Sequence, residues 1–156
     1  MTASPIEHAT FAVERALPSS PQHAFRFWSE RDLKQRWTDC HPDWTVLEDR
    51  FDFRTGGEEV RRWRTGEGHE LTFHAHYLDI APARRIIYAF AMTFKGEIQS
   101  ASLATVELTG AGSQTRMLFT EQIAFFGSAS DYRMRRLGTE GGFDRLIEAI
   151  AGYPAM

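Results

Sequence analysis

The chain has 156 residues, a formal net charge of −3 and a single cysteine, with 42% apolar and 25% charged residues. That size and balance fit one hydrophobic core and exclude a disordered chain, an internal disulfide framework and a cysteine-cluster metal site. Mild acidity supplies no general attraction for nucleic acid, no apolar run approaches the roughly 18–20 residues of a membrane span, and the opening MTASPIEHATFAVERAL lacks the basic and apolar regions of a signal peptide.

These features predict a cytoplasmic protein forming a single domain over residues 1–156, ordered from about 8 to 152. Four Trp, four Tyr and twelve Phe predict a large aromatic interior. Residues 9–17 alternate, placing Phe11, Val13 and Leu17 on one face of a first strand. PSSPQ breaks that pattern, and Ser19 or Ser20 can cap a helix opened by Pro21. Ala24, Phe25, Trp28, Leu33 and Trp37 then recur at near-helical spacing, predicting two short helices with a bend near Ser29. After the polar loop TDCHPD the period falls to two. Six strand-like runs follow, WTVLED, EEVRRW, LTFHAHYLDI, RRIIYAFAM, SLATVELT and TRMLFTEQIAF, joined by short segments rich in glycine, proline and polar residues. Connections this short join neighbours, so an antiparallel meander is expected. The chain closes on RRLGTEGGFDRLIEAI, where Phe143, Leu146, Ile147 and Ile150 have helical spacing. Gly138, Gly141 and Gly142 interrupt its first half at about 1 kcal/mol each relative to alanine. They mark a frayed start with the helix beginning near Phe143, allow close contact with a strand, or enlarge a gap between helix and sheet.

The pattern VERALPSSPQHAFRFWSERDLKQRW resembles the opening of the SRPBCC (START/Bet v 1-like) superfamily, in the branch of the activator of heat-shock protein 90 ATPase. FDFRTGGEEV resembles that branch's turn through Phe53, Arg54, Gly56 and Gly57. YLDIAPARRIIYAF resembles its strand–turn–strand, and SLATVEL, TRMLFTEQIAF and GTEGGFDRLIEAI its last strands and closing helix. The likeness spans nearly the whole chain. It implies an α+β helix-grip (Bet v 1-like) fold, with a curved seven-stranded antiparallel sheet wrapped on a long C-terminal helix and two short helices after the first strand. Thr139 replaces the usual Trp of that helix and Gly142 an expected large apolar residue, and both losses of volume imply a roomier pocket. The resemblance implies either an interior that holds a hydrophobic small molecule or a surface that engages a chaperone. Homodimerisation is compatible with such a fold, and no interface is legible.

Candidate site residues come from alternation. Met117, Phe119, Glu121 and Ile123 share the inward face of the last strand. Glu121 among apolar neighbours gains a raised pKa that suits proton transfer or anchoring of a polar ligand group; the competing reading is a salt bridge to Arg54 or Arg85. Trp37, Trp63, Phe73, Tyr77, Tyr88, Phe90, Phe119 and Phe143 are placed to turn inward, with Tyr88 and Ser102 adding hydrogen-bonding groups and Gly142 adding room. An apolar cleft with a few polar contacts is the usual make-up of a small-molecule pocket. His74 and His76 lie opposite the apolar set, facing solvent. His69 or Glu70 is the nearest candidate for a third ligand, but no downstream His or Cys completes the count, so no metal is expected. Cys40 and His41 read as an ordinary loop and RTGGEEV as a turn that lacks the lysine and hydroxyl of a phosphate loop. RRWR and RMRR read as solvated charge. The expected function is therefore binding of an apolar or aromatic small molecule without cofactor or metal. The alternatives are a chaperone-interaction module and a cyclase- or hydrolase-like enzyme using Glu121 with Tyr88.

Overall fold

A computed structural model describes residues 6–39, 41–126 and 129–155 of the chain. Cys40 lies outside the described residues. Strand β1 (Glu7–Leu17) is followed by helices α1 (Pro21–Ser29) and α2 (Arg31–Thr38). Strands β2 (Thr45–Phe51), β3 (Glu58–Arg64), β4 (Glu70–Ala81), β5 (Arg85–Phe94), β6 (Glu97–Ala111) and β7 (Gln114–Phe125) come next, and α3 (Ala129–Ala151) closes the chain. The strands form one antiparallel sheet in the order β1-β7-β6-β5-β4-β3-β2, which is a meander except for β1, returned to the far edge beside β7. This is the helix-grip α+β architecture that the resemblance implies, with the antiparallel meander that the short connections predict.

Local chemistry explains the elements. Ser20 caps α1 by accepting from the His23 backbone N–H at 3.3 Å, with Pro21 supplying a preset φ in the first turn. Glu30 adopts an extended conformation between α1 and α2, which makes the bend expected near Ser29. Register shifts at Val46/Glu48, Tyr77/Asp79 and Met92/Thr93 bend three strand pairs and give the sheet its curvature. In the Phe53–Gly57 turn a Cβ on Gly57 would collide with the Asp52 carbonyl oxygen, so glycine is required there. Gly56 donates its N–H to the Tyr77 carbonyl at 2.8 Å and Gly57 accepts from the Tyr77 N–H at 3.0 Å, so the turn fixes β4 at Tyr77.

The core forms where α1, α2 and the second half of α3 cover β1, β6 and β7. Phe143 packs its ring 5.0 Å from Phe119 and 6.1 Å from both Trp28 and Trp37, while Leu146 and Ile150 are fully buried beneath the same helix. α3 is continuous through Gly138, Gly141 and Gly142. The reading of a helix that starts only near Phe143 is therefore corrected: packing of Tyr132 on Phe11 and Phe125, and of Arg135 on the sheet, anchors the first half despite its glycines.

Candidate functional site

Alternation along the strands and the pairing register place the inward residues of β3 to β7 side by side. Glu59, Arg61 and Trp63 of β3 stand opposite Ala75, Phe73 and Leu71 of β4. Ala75 and Tyr77 in turn face Phe90 and Tyr88 of β5, which face Ser102 and Ala104 of β6, and Ala104 faces Glu121 of β7. The helix does not cover this surface evenly, because α3 packs chiefly on α2 and β1. Away from it, Trp63, Phe73, Tyr88 and Phe90 are only half-buried. Phe73 and Phe90 lie 5.1 Å apart and Tyr88 and Phe90 5.6 Å, forming a contiguous aromatic strip; Trp63 lies further along the same face, its ring 5.9 Å from that of Trp44. Because each of these residues keeps some solvent exposure, this stretch of sheet face, termed the trough, is surface rather than sealed core.

The other predicted site residues fall into two groups. Trp37, Met117, Phe119 and Phe143 are buried in the core, and Tyr77 is buried between core and trough. Ser102 and Glu121 belong to a buried polar cluster. Glu121, its side chain 2% exposed, accepts from Ser102 Oγ at 2.8 Å and from Arg135 Nη1 at 2.6 Å. The Arg135 guanidinium also donates to Ser100 and lies 5.7 Å from the Phe90 ring centre. Glu121 thus pairs with Arg135 and not with Arg54 or Arg85, which are held by Asp52 and Asp79. Burial pushes the Glu121 carboxyl above its ordinary value, while Arg135 and Ser102 pull it back. A second buried acid, Glu59, accepts from the Tyr77 hydroxyl at 2.6 Å and pairs with Lys34. Tyr88 is raised by burial of its hydroxyl and then by the charges of Glu121 and Glu59, so it stays a neutral hydrogen-bond donor.

Lys34, Glu59, Arg61, Ser100 and Arg135 complete this site, and none of them stood out in the sequence. The reading of RRWR and RMRR as solvated is corrected at two positions. Arg61 is 7% exposed and paired with Asp39 and Asp49, the latter at 3.0 Å, and Arg135 turns inward while Arg133 and Arg136 stay at the surface. The signal for Arg61 was its alternation with Glu59 and Trp63; Arg135 could be found only by placing it one helical face with Gly142.

Glycine leaves room at the edge of the trough. Gly138 and Gly142 lie on the helix ridge that carries Arg135 and Arg145. A Cβ at Gly138 would meet nothing within 4 Å, and one at Gly142 only the Arg145 guanidinium, at 3.6 Å. The indole N–H of Trp28, which is 2% exposed, has no acceptor among the described residues. Between α2 and β2–β3 a crevice of about 10 Å³, room for roughly one water, is lined by polar groups including Lys34, Glu59 and Arg61.

A family model described as Activator of Hsp90 ATPase homolog 1-like protein matches residues 18–154. The chain belongs to that family. An uncharacterized protein from Rhizobium leguminosarum is 39% identical with a TM-score of 0.87, over 93% of this chain and 95% of that one. A protein from Rhizobium loti is 37% identical, also at 0.87, over 94% and 100%. A Chromobacterium violaceum protein at 19% identity and a TM-score of 0.72, covering 90% and 96%, shares the fold. No curated protein matches the chain. Membership in the Hsp90 ATPase activator homolog family accords with the turn at Phe53–Gly57 and with the order of strands and closing helix. No helix among the described residues is long and apolar enough to cross a membrane.

Proposed function

We propose that this protein binds an apolar or aromatic small molecule carrying one polar group, in the trough between β3–β6 and the first half of α3. The observation that carries this reading is the strip of half-buried rings, Trp63, Phe73, Tyr88 and Phe90, lying beside a helix ridge on which glycine leaves room. Half-buried aromatic rings still have apolar surface to remove from water, at about 25 cal/mol per Å². The Tyr88 hydroxyl and the Arg135–Glu121 pair supply the few polar contacts that would orient a ligand. In this reading Glu121 serves as an ion-paired anchor for Arg135, not as a proton-transfer base.

Thermal unfolding against a library of apolar and aromatic compounds tests the proposal, because a ligand that binds only the folded state raises Tm. Gly138→Leu places a side chain where a Cβ meets nothing within 4 Å. The wild type is expected to show compound-dependent shifts and Gly138→Leu to lose them. No shift in either protein overturns the reading.

A second reading, a chaperone-binding module, is favoured by the family match. Such a module would act through outward residues such as the exposed Met134 and Leu137 of α3. Co-elution with purified Hsp90, abolished by Met134→Glu with Leu137→Glu but retained in Gly138→Leu, would support it over the first.

A further inference from the structure

On the face of the sheet opposite the trough, Glu58 of β3 meets His74 and His76 of β4. The register sets Glu58 directly across from His76, and strand alternation sends both imidazoles to the same side. Glu58 Oε2 lies 3.5 Å from His74 Nε2, and Oε1 lies 3.6 Å from His76 Nδ1. The two rings are 4.8 Å apart between centres, and all three donor atoms fall within 4.8 Å of one another. Sequence spacing offered only His69 or Glu70 as a third donor; the strand pairing brings Glu58 instead.

We propose that Glu58, His74 and His76 form a site for a divalent first-row transition ion of the Zn²⁺ class. Three points favour an ion over a simple His–Glu contact. The separations of 3.5 and 3.6 Å are long for hydrogen bonds, and His74 Nε2 is shielded from water with no hydrogen-bond partner among the described residues. An ion about 2.0–2.2 Å from each of three donors in a tetrahedron holds those donors roughly 3.3–3.5 Å apart, close to the two separations already present. His76 is exposed and can rotate to bring the remaining pair together. Two imidazoles and one carboxylate match Zn²⁺, Co²⁺ or Ni²⁺ rather than Mg²⁺ or Ca²⁺, which take oxygen donors.

The charged neighbours tune the affinity for a cation. Arg50 of β2 reaches Glu58 at 3.9 Å and competes with a cation, whereas Arg62 of β3 is held by Glu48 and Glu70. Ala89 and Ala91 of β5 face His76 and His74 and add no charge. The site lies on the other face of the sheet from the trough, so its fate is independent of the ligand reading.

The test uses tag-free protein in a Cys40→Ser background, which removes the only thiol. Zn²⁺ is followed by calorimetry and Co²⁺ by its visible absorption at pH 7.5. The expected result is one ion per chain, bound at least about tenfold more weakly in His74→Gln, in His76→Gln and in Glu58→Gln. Arg50→Gln should bind more tightly than the parent and His69→Gln equally. All five positions are at least partly exposed, and circular dichroism confirms folding of each variant. Absence of stoichiometric binding, or affinity in His74→Gln and His76→Gln equal to that of the parent, overturns the proposal.

Discussion

Two regions of the same sheet face, both lined by aromatic rings, end in opposite states. Toward β1 and β7, Phe119 is sealed beneath Phe143, which packs in turn on Trp28 and Trp37. Toward β3 to β5, Trp63, Phe73, Tyr88 and Phe90 keep part of their surface in water. Strand alternation is the same in both, so the strands do not make the difference. The helix does: where α3 carries Phe143, Leu146 and Ile150 it fills the space, and where it carries Gly138 and Gly142 it leaves space. One helix thus both seals the core and borders an opening, with residue size along α3 choosing between the two.

The largest effect should come from breaking the sealed region. Phe143→Ala removes a ring at the junction of Trp28, Trp37 and Phe119 and is expected to cost about 3–5 kcal/mol in denaturant unfolding. Phe90→Ala in the trough should cost much less, because part of that ring already faces water. Comparable losses in both variants would erase the distinction.

Between the regions stands the Glu121–Arg135 pair. Glu121→Leu or Arg135→Leu alone leaves a buried charge without its partner and should cost about 3 kcal/mol, whereas the double variant should recover most of that loss. Additive losses would show that the pair is not coupled. A smaller effect of opposite sign is expected from Gly138→Leu. Replacing an unhindered helical glycine should raise stability by roughly 1 kcal/mol, read as a higher midpoint in urea, while ligand-induced shifts disappear.

The smallest effect is a pH dependence. Burial raises the Glu121 carboxyl in the folded state above its ordinary value of 4.5. A raised folded-state pKa means that the folded chain holds this proton more tightly than the unfolded one. Its contribution is therefore full below about pH 4.5 and is lost as pH rises through the folded-state value. Relative to Glu121→Gln, the wild type should lose stability over that rise, by at most about 1.4 kcal/mol per pH unit. An unchanged difference across pH 4–8 would mean that Arg135 and Ser102 fully offset the burial.

Most of the fold was legible because it rests on local signals. Alternation located the six strands after α2, Ser20 and Pro21 marked the start of α1, and short turns implied the meander. The site was legible only in its rings. Trp63, Phe73, Tyr88 and Phe90 could be assigned to a face from their strand positions, but the charges that accompany them depend on register and on the placement of α3. Arg61 and Arg135 sit in basic runs whose other members are more exposed; alternation sets Arg61 on the face of Trp63, whereas nothing within RMRR separates Arg135 from its neighbours. The three glycines likewise read as a weak helix start, since the contacts that hold the first half of α3 come from residues distant in sequence.

The central claim is that the sheet face is open beside Gly138 and closed beneath Phe143. Nuclear magnetic resonance with the apolar anionic probe anilinonaphthalene sulfonate tests it most directly, by following aromatic side-chain signals during titration. Movement of the Trp63, Phe73, Tyr88 and Phe90 signals, with those of Phe119 and Phe143 unmoved, is the predicted result. Movement confined to the outer surface of α3 around Met134 and Leu137, or no movement at all, would contradict it.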